Sequence, residues 1–452
     1  MSNEASLHHS TFIILHSFAL RSAPSRETLN SLMPPNSQSR FWSSFGPGLL
    51  WAAAAIGVSH LVQSTRAGAV AGFGLAGVIL LALIIKYPFF EYGPRYAAAT
   101  GTSLVEGYLK IGKWALWLYF GITLAMSVII QSAVVMFTAF LVRFVFGLDW
   151  SLALTAGVLI ALCALLLWMG RYKALDATVK IILVVLAIST FIAAAVTLPR
   201  ADLSTLALWP RGAGALVPFA FILALMGWMP SAFDISVWNS LWTLAKDEAS
   251  GERTTVRNAR LDFFVGYVGT AVLAFAFVTL GAGVMFASGE SFSSQGTVFS
   301  TQLVDLYSQT LGAWTRPIVL VAVLTTMVST TLTVMDGFPR AIERSLVRLK
   351  DESTASAELP SAGKLYWYSL IVLAAVTVLV LALFIGNLTT MVDFATIVSF
   401  LTAPILGYLN LKAITSNEVA VEHRPGPAML VLSWVGLALL VGFGAIYIIT
   451  LF

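Results

Sequence analysis

The sequence predicts an all-α integral membrane protein of about eleven spanning helices, arranged as two five-helix halves of opposite topology plus one added helix. Three observations carry this prediction. First, 58% of the 452 residues are hydrophobic and only 11% are charged, with mean hydropathy +0.87, whereas a soluble domain carries about 25% charged residues. Second, apolar runs of roughly 18 to 28 residues recur between short polar loops. Third, two of these runs, the first and the sixth, are interrupted midway by Gly57-Val58-Ser59-His60 and Gly227-Trp228-Met229-Pro230. Such interruptions free backbone N–H and C=O groups, which a bilayer tolerates only inside protein or beside a watery cavity.

In chain order, residues 1–44 are polar and include Pro34-Pro35. The apolar patch Thr11 to Leu20 is too short to span. No basic segment precedes it and no small-residue cleavage site follows, which argues against a signal peptide. A disordered cytoplasmic tail is expected there, with Met1 or Met33 as the start. The membrane domain is expected over 45–452. Its spans are placed near 46–71, 74–97, 114–142, 151–169, 176–198, 213–243, 261–287, 312–335, 366–386, 389–412 and 428–451. The first five form one repeat (46–198), the next five an inverted repeat (213–412), and 428–451 is the addition. Cys163, the one cysteine, lies in an apolar run, so neither an intrachain disulfide nor a cysteine metal cluster can form.

Lysine and arginine concentrate in alternate loops: Arg95, Lys110 and Lys113; Arg171 and Lys173; Lys246, Arg253, Arg257 and Arg260; Arg340 to Lys364; Lys412 and Arg424. The opposite loops hold little beyond Arg143, Arg200 and Arg211. The positive-inside rule makes the first set cytoplasmic, with the N-terminus inside and Phe452 outside. The net charge of +4 gives no reason to expect nucleic acid as a partner; the partners implied are the lipid bilayer and a small ion or solute.

Breaks five spans apart occupy the same place in two halves, which is the pattern of an inverted-repeat secondary transporter. At each break one half-helix presents its positive N-terminal end and the other its carbonyls, which can hold a cation. Pro230 suits the first residue of the resumed sixth helix.

Several stretches resemble the NRAMP divalent-metal transporters. Gly46-Pro47-Gly48 is similar to the family's Gly-Pro-Gly opening helix one. Arg95-Tyr-Ala-Ala-Ala-Thr-Gly101 resembles its Arg-Leu-Gly-x-x-Thr-Gly ending helix two. Arg171 to Asp176 and Arg257 to Asp262 resemble the basic-acidic approaches to helices five and seven. The resemblance runs from about residue 44 to 450. It implies the leucine-transporter fold of the amino acid–polyamine–organocation superfamily and transport of a divalent metal with protons by alternating access. No cofactor is implied beyond the cargo and a coupling proton.

The chain departs from the family where chemistry is done. The family's Asp-Pro-Gly-Asn metal motif reads Gly57-Val58-Ser59-His60 here. Its Met-Pro-His reads Met229-Pro230-Ser231, and a second downstream histidine is Ser236. The helix-three acids fall on Gln131 and Val134. This places the chain in a divergent clade lacking that metal motif.

The candidate substrate site comprises Gly57, Ser59, His60, Met226, Met229, Ser231 and Asp234. Of these His60, Met229 and Asp234 are the candidate metal ligands. Met229 stands where the family has its thioether, a soft ligand, or packs beside the kink. His60 is a ligand, a proton acceptor or a hydrogen-bonded structural histidine. Asp234 replaces the lost carboxylate, accepts a proton or pairs with a buried base. Arg66, Lys86, Glu91 and Asp393 join His60 as candidates for coupling or gating. Arg66 guards a vestibule, recognises an anion or pairs with a carboxylate. Lys86 pairs with an acid from another span or replaces a bound cation, the ion pair being preferred. Glu91 and Arg95 face each other four residues apart. Asp393 serves gating or caps a helix. Ser329-Thr330-Thr331 offer hydroxyls opposite the first break.

No catalytic triad, phosphate-cradling glycine loop or nucleotide motif is present, so neither an enzyme nor a primary pump is expected. Two readings of the cargo stand. One is a divalent metal. The other is a small organic solute or anion, such as an amino acid or carboxylate, to which Arg66, Lys86 and the missing acids point. A non-transporting sensor on the same scaffold would need a soluble signalling domain. A bacterial inner membrane is the expected location.

Overall fold

The computed structural model describes residues 46–169, 172–211, 214, 216–350, 363–383 and 387–452, without the side chains of 172–183. The expected tail over 1–44, Arg171 and parts of three further loops lie outside the described residues. Within them every regular element is helical. In chain order these are α1 (Pro47–Ala55), α2 (Thr65–Ala71), α3 (Ala76–Thr100), α4 (Leu104–Ile111), α5 (Lys113–Phe146), α6 (Leu152–Trp168), α7 (Tyr172–Thr197), α8 (Phe219–Gly227), α9 (Asp234–Ser250), α10 (Val256–Leu280), α11 (Gly296–Leu311), α12 (Arg316–Lys350), α13 (Lys364–Leu383), α14 (Leu388–Ile414) and α15 (Pro427–Ile449). Among the described residues seven helices are long and apolar enough to cross a membrane: α3, α5, α10 with its continuation to Phe286, α12 with the turn before it, α13, α14 and α15. The chain is a multi-pass integral membrane protein.

Burial sorts these helices. The apolar windows of α3 and α5 are 72% buried within the protein, whereas those of α13 and α15 are 33% buried. The first pair therefore sits centrally and the second faces lipid, with Ile371, Leu379, Val431 and Val441 exposed. The first and sixth spans are each split, as the sequence predicts: α1 and α2 flank a π-helical turn over Ser59–Ser64, and α8 and α9 flank a non-helical stretch.

Two of the sequence stretches singled out above turn out to be partners. Pro47 begins α1, where a missing N–H costs nothing. The α1 N-terminus is capped by Asp262 of α10, whose carboxylate accepts from Gly48 N at 2.7 Å and from Gly46 N at 3.3 Å. The two helices touch backbone to backbone. A Cβ at Gly48 would lie 2.3 Å from the Asp262 carbonyl oxygen, and one at Gly266 would lie 2.4 Å from that of Gly48. Only glycine permits this approach.

The arginine-rich face is tied by buried carboxylates. Glu91 on α3 accepts from Arg95 at 3.3 Å and Arg260 of α10 at 2.6 Å, and Arg95 also donates to the carbonyls of His423 and Arg424. Ser103 and Glu106 form a capping box at the start of α4. Arg344 and Arg348 of α12 both reach Glu106. Burial works to raise the Glu106 carboxyl, but Arg344, Ser103 and Arg348 together outweigh it and hold it below the ordinary range.

Candidate functional site

The site is built around the second break. Gly227 ends α8 against α14, where a Cβ would lie 2.0 Å from the Thr396 carbonyl oxygen. The chain then leaves the helix, and α9 resumes only at Asp234, four residues past the Pro230 expected to begin it. The reason is an amine. Lys86, buried on α3, donates to the carbonyl oxygens of Met226 at 3.1 Å, Gly227 at 2.9 Å and Ser231 at 2.8 Å. Residues 228–231 loop around it so that these carbonyls converge. An ammonium has three N–H donors, and here each has an acceptor. The rings of Phe90 and Phe233 flank it at 5.5 and 5.2 Å.

The preferred expectation for Lys86, an ion pair with an acid from another span, is therefore corrected. Among the described residues Lys86 forms no salt bridge. The carbonyls at the C-terminal end of α8 carry the negative end of the helix dipole, and the Lys86 amine lies against them.

The first break is arranged differently. Gly57 O accepts from Leu61 N at 2.9 Å and His60 N at 3.2 Å, carrying the backbone ladder into the π-helical turn. The imidazole of His60 faces α10: Nε2 lies 2.9 Å from Thr270 O, while Nδ1 lies 2.7 Å from Ser59 Oγ and 3.2 Å from Ala55 O. Ser59 Oγ also donates to Ala55 O at 2.6 Å. Gly57 is hemmed by Thr330, since a Cβ there would lie 2.9 Å from its side chain.

Between the breaks is a cavity of about 40 Å³, lined by Ser59, Ser231, Asp234, Trp238 and Thr330 together with apolar residues of α1, α5 and α12. That volume holds from one to about three waters. Two buried polar atoms of its lining have no protein partner, Oδ1 of Asp234 and Nε1 of Trp238, one turn apart on α9. Buried polar atoms are normally satisfied, so this pair marks the cavity as a place for water or a ligand. Trp238 and its neighbour Asn239, also unpartnered, were not expected from the sequence; no motif signals them, although both follow Asp234 on the same helix.

Of the three expected metal ligands only one lines this cavity. Asp234 lines the cavity, whereas His60 and Met229 do not, and Met229 is wholly buried. Met226 enters through its carbonyl, as an acceptor for Lys86. Among the described residues no three His, Cys, Asp or Glu side chains cluster to hold a metal ion. Gln131, at the family's acidic position, bonds Thr377 on α13, and of Ser329, Thr330 and Thr331 only Thr330 lines the cavity.

Arg66 and Asp393 meet. Their two hydrogen bonds, 2.7 and 3.0 Å, join α2 to α14, Gln63 bridges both, and the guanidinium lies 4.7 Å from the Phe221 ring of α8. Glu91 stands apart from this clasp, in the arginine network of the opposite face.

Residues 48–450 match the family model described as natural resistance-associated macrophage protein-like, Nramp. The chain belongs to the Nramp family. An uncharacterized protein of Pasteurella multocida is 35% identical to this Nramp chain over 418 residues, 90% of this chain and 92% of that one. Among solved structures, the Eremococcus coleocola manganese transporter superposes with a TM-score of 0.64 at 14% identity, covering 92% of this chain and 87% of that chain. Mhp1, a nucleobase-cation-symport-1 family transporter, superposes with a TM-score of 0.57 at 16% identity, covering 89% of each. At such identities the likeness is one of fold, and the fold is the leucine-transporter architecture.

Proposed function

We propose that this Nramp chain moves a small, hard divalent cation of the Mg²⁺ or Mn²⁺ class across the membrane by alternating access, with Asp234 as its charged ligand. The observation that carries the reading is the unpartnered Asp234 carboxylate oxygen in a small cavity between the two helix breaks. The cavity's other candidate ligands, Ser59, Ser231 and Thr330, are also oxygen donors, a set that suits hard cations rather than soft ones. Its volume suits an ion that keeps some of its water. Family membership supports metal as cargo, and the Eremococcus coleocola relative of similar fold is a manganese transporter.

The anion reading loses its main support. Lys86 has all three N–H groups on carbonyls, and Arg66 is held bidentately by Asp393. We read the Arg66–Asp393 clasp as an outer gate and the Glu91–Arg95–Arg260 network as its inner counterpart, with the arginine-rich face cytoplasmic in a bacterial inner membrane. A proton and the cation compete for Asp234, so cation affinity falls as pH falls.

Uptake of Mg²⁺ and Mn²⁺ into proteoliposomes tests this. Saturable flux in the wild type that vanishes in a folded Asp234→Asn variant is expected. Absence of flux for both ions from folded wild-type protein would sink the metal reading.

A further inference from the structure

A much larger pocket lies on the arginine-rich face, away from the breaks. It is an open pocket of about 910 Å³ between α3, the first turns of α10 and the turn Val421–His423. Its lining combines Arg253, Arg257 and Arg260 with Leu261, Phe264 and one carboxylate, Glu422. Arg260 is engaged by Glu91, but that carboxylate is shared with Arg95, so positive charge remains in excess. Arg253 gives one hydrogen bond to Ala99 O at 3.2 Å. Arg257 is exposed and makes no hydrogen bond or ion pair among the described residues. The N-terminal end of α10 adds its own positive potential beside them.

Directly after the arginines, on a helix long and apolar enough to cross the membrane, Leu261 and Phe264 are 43% and 49% exposed. A soluble anion has no use for an exposed apolar lip. A lipid does: basic groups at the membrane boundary meet a phosphate while apolar side chains just inside it meet acyl chains. An open pocket of this volume has room for a headgroup while leaving the chains beside the apolar lip.

We propose that this pocket binds the phosphate headgroup of an anionic phospholipid, with Arg253 and Arg257 as its phosphate contacts and Leu261 and Phe264 against its acyl chains. This is independent of the cargo.

Native mass spectrometry of the full chain tests it, with dioleoylphosphatidylglycerol, dioleoylphosphatidylcholine and inorganic phosphate as probes. The wild type is expected to retain phosphatidylglycerol in preference to phosphatidylcholine, with millimolar phosphate failing to displace it. The double variant Arg253→Gln/Arg257→Gln is expected to weaken that retention by on the order of 30-fold, about a factor of five for each arginine lost at the surface. Arg253→Lys/Arg257→Lys keeps the charge and should keep most of the binding, which separates a lost site from a lost fold. Equal retention of both lipids, undiminished retention in the glutamine variant, or displacement of phosphatidylglycerol by inorganic phosphate would each overturn the proposal.

Discussion

The two helix breaks look alike in sequence and differ in chemistry. At the first, Gly57 O passes the hydrogen-bond ladder to His60 and Leu61, and the His60 ring bonds Ser59, Ala55 O and Thr270 O. That break is largely satisfied by its own backbone and by α10. At the second, three carbonyls accept from Lys86 of α3, and an oxygen of Asp234, the first residue of α9, has no partner among the described residues. The first break closes largely upon itself and offers the cavity little beyond Ser59. A break that must borrow an amine and leaves a carboxylate open is where a ligand's free energy can be spent.

The largest expected effect tests that asymmetry at its sharpest point. Asp234→Asn keeps the shape and removes the cavity's one carboxylate. A ligand's outer-shell partners alone are worth about 10- to 100-fold in metal affinity, so loss of the charged ligand itself should lower cation flux by more than about a hundredfold. Uptake with a folded-protein control measures it, and wild-type flux in the variant would show that the second break is as inert as the first.

Lys86→Met comes next, and it has two arms. The carbonyls of Gly227 and Ser231 lose their donor, each worth about 1–3 kcal/mol when buried and unsatisfied, while Met226 O keeps the backbone N–H of Met229 at 3.4 Å. A drop of about 3 kcal/mol in thermal-unfolding assays is therefore expected. Removal of the ammonium also takes a like charge from beside the cavity and exposes cation-binding carbonyls. Added Na⁺ or Mg²⁺ should therefore stabilise the variant by more than it stabilises the wild type. Equal ion dependence in the two would mean that Lys86 does not stand in a cation's place.

Much of this fold is legible in the sequence because its causes are local. Length and hydropathy place the spans, and mid-span glycine and proline place the breaks. Gly46-Pro47-Gly48 and Asp262 announce themselves as special, though not as each other's partner. The site is less legible. From sequence Lys86 points to an acid, because sequence displays side-chain charges and hides backbone acceptors; its partners are carbonyls gathered where α8 ends. His60 carries every sequence mark of a ligand, but the π-helical turn over Ser59–Ser64 sets which way its ring faces, and no residue type encodes that turn. Asp234 was nameable as the nearby acid, whereas Trp238 became visible only as an orphaned indole in a cavity wall.

A smaller effect is expected at His60. His60→Gln shortens the reach to Thr270 O and should cost about 1–2 kcal/mol of stability, the range for a buried hydrogen bond and its abandoned partner. Flux per folded molecule should stay within about twofold, since the bond to Thr270 O points away from the cavity and Ser59 Oγ keeps Ala55 O as its partner, so the loss falls on folding rather than on the binding equilibrium. A folded His60→Gln protein without flux would make the first break a working part of the site and erase the contrast.

The smallest expected effect is none at all, and it makes pH a usable probe of the second break. Glu106, clasped by Arg344 and Arg348 on the arginine-rich face, has its folded pKa depressed. Its contribution to stability is therefore fully present above the unfolded carboxyl value of about 4.3 and is lost only as pH falls through the lower folded value. Between pH 7 and pH 5 this staple should contribute no change in thermal stability. Cation affinity should nevertheless fall at whatever pH protons compete for Asp234, and Asp234→Asn should remove the pH dependence that carboxylate confers on binding. If stability and affinity instead fall together in the wild type, and the Glu106→Gln variant abolishes both slopes, the titration belongs to the arginine face and Asp234 loses its place as the proton's competitor.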